Sequence, residues 1–188
     1  MSPTVLIVPG LRDKAPAHWQ TWLHQALEAE GFAVASVPPM GRDNLDLQTR
    51  LDTIDEVVES FNGPAFAVAH SAGCSMLAHW AGQSALTARI EGALLIAPPD
   101  LNTPMPEAYP RLEALRDGGW YPLPTRRLPF LSWVGVSRND PLSSVEVAHQ
   151  NAKYWGSETL DLGEVGHVNP QAGYGPWPEG LKLVKQFL

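Results

Sequence analysis

The segment His70-Ser71-Ala72-Gly73 sets a serine among small residues, at a point where an apolar run gives way to a helical pattern. Of the eleven serines in the chain, only Ser71 has a glycine two residues later. A nucleophile elbow requires small flanking residues, because its tight turn presses them against neighbouring backbone and raises the serine hydroxyl above the sheet. Ala69 stands where the Gly-x-Ser-x-Gly pattern has glycine, and many such turns accommodate one extra methyl group. The motif predicts a nucleophilic serine; the alternative is a serine that caps the following helix.

A serine hydroxyl becomes a nucleophile when a base takes its proton and an acid orients that base. In hydrolases with such an elbow, the partners follow the serine in the order acid, then histidine. His79 lies further along the elbow helix, about 12 Å away at 1.5 Å per residue, and His149 falls inside a helical pattern. His167 lies in a glycine-flanked loop just after the last predicted strand. That position and order predict His167 as the base.

Asp140 follows a buried-strand pattern and therefore stands at the carboxyl end of a strand. Sites in open α/β sheets lie outside the carboxyl ends of the strands, so Ser71, Asp140 and His167 are expected to converge on one edge. Asp140 also lies in a good turn sequence, and the two roles are compatible. Three other carboxylates compete for the role of the acid: Asp161, Glu164 and, more weakly, Asp100.

Backbone N–H groups that stabilise an oxyanion normally come from the residue after the nucleophile and from a loop after an early strand. Ala72 and Leu11 occupy these two places. Gly10 precedes Leu11 and allows the backbone to turn sharply towards the site. Ala72 and Leu11 are therefore predicted to form the oxyanion hole.

Tryptophans and cations fall in the loops that should surround this site. Trp19 and Trp177, with Trp120 as a further candidate, are expected to form an apolar pocket for the substrate. Arg12 and Lys14 would attract an acidic substrate, although charges in loops are more often simply solvated.

The elements that must position these residues alternate between strands and helices. Strands are predicted at Val5–Val8, Phe32–Val37, Ala65–Ala69, Ile90–Ala97, Phe130–Val136 and Glu158–Leu162, and helices at Ala17–Glu30, Leu47–Phe61, Ala72–Ala81, Val145–Tyr154 and Glu179–Leu188. This alternation implies a three-layer α/β fold, with a mostly parallel sheet of about six strands and helices on both faces. The proline-rich segment Pro98–Pro129 departs from the pattern, with at most a short helix near Pro106–Asp117. It is either an overhang of the site or a proline-stiffened loop.

Composition narrows the class of protein. A chain of 188 residues with 44% hydrophobic residues predicts one domain, residues 1–188, with a core of its own. The net charge of −7 argues against nucleic acid as a partner. No apolar run approaches the length of a membrane span or a signal peptide, so we expect a cytoplasmic protein that does not bind membranes. Cys74 is the only cysteine, and metal and nucleotide motifs are missing, so we expect neither metal nor cofactor.

Six motifs occur in order along nearly the whole chain. They are Val8-Pro9-Gly10, His18-Trp19, His70-Ser71-Ala72-Gly73, Ser137-Arg138-Asn139-Asp140-Pro141, Gly166-His167-Val168-Asn169 and Gly175-Pro176-Trp177-Pro178-Glu179-Gly180. Together they resemble the compact serine hydrolases related to retinoblastoma-binding protein nine. The resemblance implies a catalytic triad of Ser71, Asp140 and His167, an α/β-hydrolase fold without a large cap domain, and esterase-like or peptidase-like activity. The Leu-x-Cys-x-Glu motif for retinoblastoma binding is absent, so that partner is not implied.

These patterns predict a serine hydrolase that cleaves a small carboxylic ester, thioester or amide, including peptide-like substrates, through an acyl-enzyme on Ser71. The alternative is a non-catalytic protein of the same fold that binds a ligand or a partner. A flavodoxin-like module is a weaker third possibility, which would bind a flavin.

Overall fold

The fold is built on one sheet of six strands, described for residues 2–188 by a computed structural model. The strands are β1 (Thr4–Val8), β2 (Val34–Ser36), β3 (Ala65–His70), β4 (Ile90–Ile96), β5 (Leu131–Ser137) and β6 (Glu158–Gly163). Their order is β2-β1-β3-β4-β5-β6, and every adjacent pair is parallel. Because β1 lies between β2 and β3, the chain reverses its progress across the sheet at β1. Such a switch point favours a site at the carboxyl ends of β1 and β3.

Helices cover both faces of this sheet. They are α1 (Trp19–Ala29), α2 (Leu47–Glu59), α3 (Ala72–Ala81), α4 (Leu112–Asp117), α5 (Val145–Trp155) and α6 (Pro178–Lys185). The buried apolar side chains form two clusters: α1 and α6 contribute to one, and α2, α3 and α5 to the other. The predicted three-layer α/β fold is therefore confirmed, with a fully parallel sheet. None of the helices among residues 2–188 combines the length and apolarity that crossing a membrane requires.

The burial of the central strands β1 and β3 explains why their sequences are almost continuous apolar runs. All residues of β1 and β3 are buried. Side chains alternate between the faces of a strand, and in β3 Phe66 and Val68 enter the α1/α6 cluster while Ala65, Ala67 and Ala69 enter the other. A strand covered by helices on both faces needs apolar residues at every position.

Side chains at the helix starts satisfy the free backbone N–H groups there. Nδ1 of His18 accepts from Gln20 N–H at 3.2 Å at the start of α1. Asp46 accepts from Thr49 N–H at 2.7 Å before α2. Gly156, with φ 67°, ends α5 in the left-handed conformation.

Several elements are shorter than predicted, among them β2, α4 and α6. β2 spans only Val34–Ser36, the residues that pair with β1. α4 begins at Leu112, since Pro106 and Pro110 disfavour a helix before it. α6 ends at Lys185, and the Phe187 ring then stacks on Phe66 with 5.5 Å between ring centroids.

The proline-rich segment Pro98–Pro129 packs on the body of the protein. Leu101, Leu115 and Trp120 are buried in the core cluster that also contains α2 and α3. Trp120 Nε1–H donates to the Leu45 carbonyl at 2.8 Å. These contacts explain how a segment with little regular structure is held in place.

Candidate active site

Ser71 stands between β3 and α3 in a backbone conformation that few residues adopt. Its φ is 56° and its ψ is −134°, a combination that costs a non-glycine residue about 1–3 kcal/mol. The side chain makes no capping hydrogen bond to α3, so the structure does not favour the helix-cap alternative. Strain of this kind is the signature of a nucleophile elbow.

The elbow depends on a very close approach of backbone at Gly73. A Cβ atom there would lie 2.6 Å from the Val8 carbonyl oxygen and 2.7 Å from that of Pro9. The glycine two residues after the serine is therefore required by packing against the end of β1. Ala69, on the other side, is fully buried, so its methyl group is accommodated in the core.

His167 lies beside Ser71, in the loop after β6. Its Nε2 atom is 2.8 Å from Ser71 Oγ. The loop is bound to the elbow itself, because Nε2–H of His70 donates to the His167 carbonyl oxygen at 2.8 Å. The residue that follows, Val168, has a φ of 47°, which is a rare conformation for a β-branched residue.

Asp140 holds the other side of the imidazole ring. The Asp140 carboxylate oxygens are 3.0 and 2.9 Å from His167 Nδ1, and the two side chains are only 3% and 4% exposed. A carboxylate accepts, so Nδ1 carries the proton and Nε2 is free to accept from the Ser71 hydroxyl. The loops of the acid and the base are also joined directly, since Gly166 N–H donates to Asn139 Oδ1 at 2.7 Å.

Two of the competing carboxylates are engaged elsewhere. Asp161 is paired with Arg138 on the surface, and Asp100 accepts from Asn102 N–H and Thr103 Oγ1–H at 2.9 Å each. Within residues 2–188, Asp140 is the one carboxylate that contacts His167.

The loop after β1 passes directly over Ser71. A Cβ atom on Gly10 would lie 2.9 Å from Ser71 Cβ and 3.3 Å from Oγ. Leu11 and Ala72, the residues predicted to supply the oxyanion hole, therefore flank Ser71. No acceptor for either of their amides is found among the described residues.

Arg42, from the loop between β2 and α2, fixes the position of this loop. Its Nε–H donates to the Leu11 carbonyl at 3.2 Å and its Nη1–H to the Ala108 carbonyl at 2.5 Å. The guanidinium also lies over the Tyr109 ring, 4.6 Å from its centroid. Arg42 thus connects the loop after β1 to the proline-rich segment.

The tryptophans do not line the site, which corrects the expectation of an aromatic substrate pocket. Trp19 and Trp177 are 1% and 7% exposed, and their rings meet edge to face with 5.1 Å between centroids. Both belong to the α1/α6 core cluster. Trp177 is further held against the backbone of α6, where a Cβ on Gly180 would lie 2.2 Å from its ring. Trp120, too, is fully buried.

The cavity at Ser71 has a volume of about 260 Å³, and most of the residues that line it have polar or charged side chains. Besides Ser71, His167 and Leu11, its walls include residues from four loops: Arg12, His18, Arg42, Tyr109, Asn169 and Gln171. The sequence analysis named Arg12 only as a possible attraction for acidic substrates and His18 only within a motif. It missed Tyr109 and Arg42 as residues of the site. Their relation to Ser71 arises from loop packing, which has no local sequence signal.

His70 is a further residue that sequence reasoning missed, although its place before the nucleophile was a signal. The rings of His18 and His70 are 5.0 Å apart, and those of His70 and His167 are 5.1 Å apart. Burial, followed by the charges of Arg12 and His167, lowers the pKa of His18 to about 3. Burial and the neighbouring His167 likewise hold the pKa of His70 well below the usual value. Both rings are therefore neutral near pH 7, and neither opposes a positive charge on His167.

Comparison with known proteins agrees with this arrangement. The profile of the serine hydrolase family matches residues 5–186. A solved structure from Pectobacterium atrosepticum, described as that of a YdeN-like hydrolase, is 30% identical and has a TM-score of 0.76; the match covers 98% of this chain and 89% of that one. No protein among the curated sequences matches the chain.

Two more distant structures share the fold. The ydeN gene product of B. subtilis is 16% identical, with a TM-score of 0.74 over 99% of this chain and 98% of its own. A hydrolase of the α/β superfamily from Xanthomonas campestris is 17% identical, with a TM-score of 0.62 over 100% of both chains. The family match, which spans nearly the whole chain, confirms the resemblance predicted from the motifs: this chain belongs to the serine hydrolase family.

Proposed function

We propose that the protein hydrolyses small carboxylic esters, thioesters or amides through an acyl-enzyme on Ser71. The observation that carries the proposal is the continuous hydrogen-bonded chain from Ser71 Oγ through His167 to the Asp140 carboxylate. In this chain Ser71 is the nucleophile, His167 the general base and Asp140 the acid that orients it.

In the acylation step, Ser71 Oγ attacks the substrate carbonyl carbon while its proton passes to Nε2 of His167. The carbonyl oxygen becomes an oxyanion, for which the backbone N–H groups of Leu11 and Ala72 are the proposed donors. The buried Asp140 carboxylate stabilises the imidazolium that forms. As the tetrahedral intermediate collapses, the bond to the leaving group breaks, and that group takes the proton from His167.

Deacylation repeats the sequence with water as the nucleophile. His167 takes a proton from the water, the hydroxide oxygen bonds to the acyl carbon, and Ser71 leaves with the proton returned by His167. The products are a carboxylic acid and the alcohol, thiol or amine of the substrate. The volume of about 260 Å³ is at the lower end for ligand sites and favours small substrates.

The proposal is tested by labelling with a fluorophosphonate, which reacts with activated serines. Wild type, Ser71→Ala, His167→Ala and Ser60→Ala proteins are incubated with the probe, and adducts are read by intact mass. Ser60, an exposed serine at the end of α2, supplies the matched control. We expect one adduct on wild type and on Ser60→Ala, and none on the two site variants.

Absence of an adduct on all four folded proteins would contradict the proposal and support a non-catalytic binding protein instead. An adduct on Ser71→Ala would assign the reactive serine elsewhere.

A further inference from the structure

The cavity at Ser71 differs in charge from the rest of the protein. The chain as a whole carries a net charge of −7. Among the described residues, the cavity is lined by the cations Arg12, Lys14 and Arg42 and by the single carboxylate Asp13. A positive cavity in an acidic protein concentrates anions locally and repels them elsewhere.

Of these three cations, Arg12 is the partly buried one whose hydrogen-bonding capacity is largely unused. Arg42 is engaged by two backbone carbonyls and the Tyr109 ring, and Lys14 is exposed. Arg12, by contrast, takes part in no ion pair among residues 2–188. Its side chain makes one long hydrogen bond, from Nη1–H to the Asp13 carbonyl at 3.4 Å, and its buried Nε atom has no partner.

The environment of Arg12 is costly for an unpaired cation. Burial alone lowers the pKa of its guanidinium to about 10, with no carboxylate to offset the loss of hydration. Arg50, which is also buried, is satisfied by the carbonyls of Gly41 and Asn44. An uncompensated, partly buried guanidinium is destabilising unless an anion joins it.

Arg12 is also close to the reacting groups. It directly follows Leu11 in the loop that passes over Ser71. Its charge contributes to the lowered pKa of His70, whose ring lies beside His167, and of His18, whose ring lies beside His70. An anion paired with Arg12 would therefore lie in the same cavity as the scissile bond.

We propose that Arg12 binds a carboxylate of the substrate, so that the preferred substrates are small esters, thioesters or amides that carry a second, ionised carboxyl group. The inference rests on the proposed function and adds its substrate class. A guanidinium matches a carboxylate with two parallel N–H···O bonds, which gives strength as well as orientation. The small cavity requires the carboxylate and the scissile carbonyl to be separated by a short chain.

The test uses two matched pairs of substrates that differ only in a terminal carboxylate. Mono-4-nitrophenyl adipate is compared with 4-nitrophenyl hexanoate, which places the charge on the acyl side. 4-Acetoxybenzoate is compared with 4-acetoxybenzamide, which places it on the leaving group. kcat and KM are measured with the spontaneous hydrolysis subtracted, for wild type, Arg12→Gln, Arg12→Lys and the exposed control Arg126→Gln.

We expect wild type to prefer the anionic member of at least one pair by about tenfold or more in kcat/KM, with the preference decreasing as salt rises. Arg12→Gln should abolish that preference, mainly by raising KM for the anionic member. Arg12→Lys should retain part of it, and Arg126→Gln should keep the wild-type ratio. Labelling of each variant with the neutral fluorophosphonate shows whether its Ser71 site has folded.

Equal kcat/KM for both members of each pair in wild type would overturn the inference while leaving the hydrolase proposal intact. An equal decrease in kcat/KM for the anionic and the neutral member in Arg12→Gln would also overturn the inference. The Arg12 charge would then act on the reaction centre that both substrates share. If no substrate is cleaved and no label forms, the proposed function itself fails and the inference fails with it.

Discussion

At the scale of single residues, the site brings together rare backbone conformations and histidines whose pKa values are lowered. The non-glycine residues with positive φ among those described are Ser71, Ala97 and Val168, and each lies at or beyond the carboxyl end of a strand. Strained residues persist only where the surrounding structure holds them. Ser71 and Val168 bracket the contact between Ser71 Oγ and His167 Nε2, so the strain lies where the distance between these two atoms is set.

The neutral state of His18 gives a first prediction. In the unfolded chain His18 binds a proton below pH 6.5, whereas in the folded protein it stays neutral down to about pH 3. The free energy of unfolding therefore decreases as pH falls through this window, by up to about 1.4 kcal/mol per pH unit for this one group. His18→Asn removes the titration and keeps an acceptor for the start of α1. We expect a shallower loss of stability between pH 6.5 and 4, measured by urea unfolding.

The matched control is His149→Asn, because the His149 ring is exposed on α5. An identical pH dependence in wild type and His18→Asn would contradict the lowered pKa. Above pH 6.5 the His18 contribution does not vary with pH.

At the scale of elements, the loops after β1 and β2 act together. Gly41 N–H donates to the Arg12 carbonyl at 2.9 Å, and Arg42 holds both Leu11 and the proline-rich segment. The proposed oxyanion donor at Leu11 is thus positioned by a residue on a different loop.

Arg42→Ala removes that support and is expected to lower kcat by about 10-fold to 100-fold, since small displacements of donors have large effects on rate. The measurement is kcat for 4-nitrophenyl hexanoate beside the thermal unfolding midpoint, with Arg111→Ala, an exposed arginine, as the control. A fall in the unfolding midpoint with kcat retained would show that Arg42 stabilises the fold without positioning the loop.

The sequence predicted the positions of strands and helices better than it predicted which side chains surround the site. All six strands were located within a few residues, and the signal is strongest in β1 and β3, because burial on both faces leaves a continuous apolar run. The length of β2 was overestimated, since the local sequence does not show that only Val34–Ser36 pair with β1. Ser71, Asp140 and His167 were chosen by chain order and by position at strand ends, and the structure brings their side chains into contact. The prediction that Trp19 and Trp177 line the substrate pocket was wrong, because a residue in or beside a loop of the site can still turn its side chain into the core.

At the scale of the whole molecule, two separate cores hold the sheet. Trp177 joins α6 to α1 through its contact with Trp19, and the Tyr174 ring packs edge to face on Trp177 with 5.6 Å between centroids. The α1/α6 core therefore depends on aromatic packing close to the chain end.

Trp177→Ala should lower the free energy of unfolding by about 3–5 kcal/mol, as other large-to-small aromatic core substitutions do. Trp177→Phe should lower it less. Urea unfolding measures both effects, and KM for 4-nitrophenyl hexanoate in the folded variants should stay near wild type. A raised KM with an unchanged free energy of unfolding would instead show that Trp177 lines the substrate pocket.

The single cysteine of the chain has a practical consequence. Cys74 lies on α3 and is fully buried, with its thiol donating to the Ile96 carbonyl at 3.5 Å, and burial raises its thiol pKa well above the usual value. A buried thiol that resists ionisation reacts slowly with maleimides. A cysteine introduced at the exposed Glu107 would therefore be the one fast-reacting thiol, and a spin label or fluorophore attached there would follow the proline-rich segment as substrate enters and product leaves.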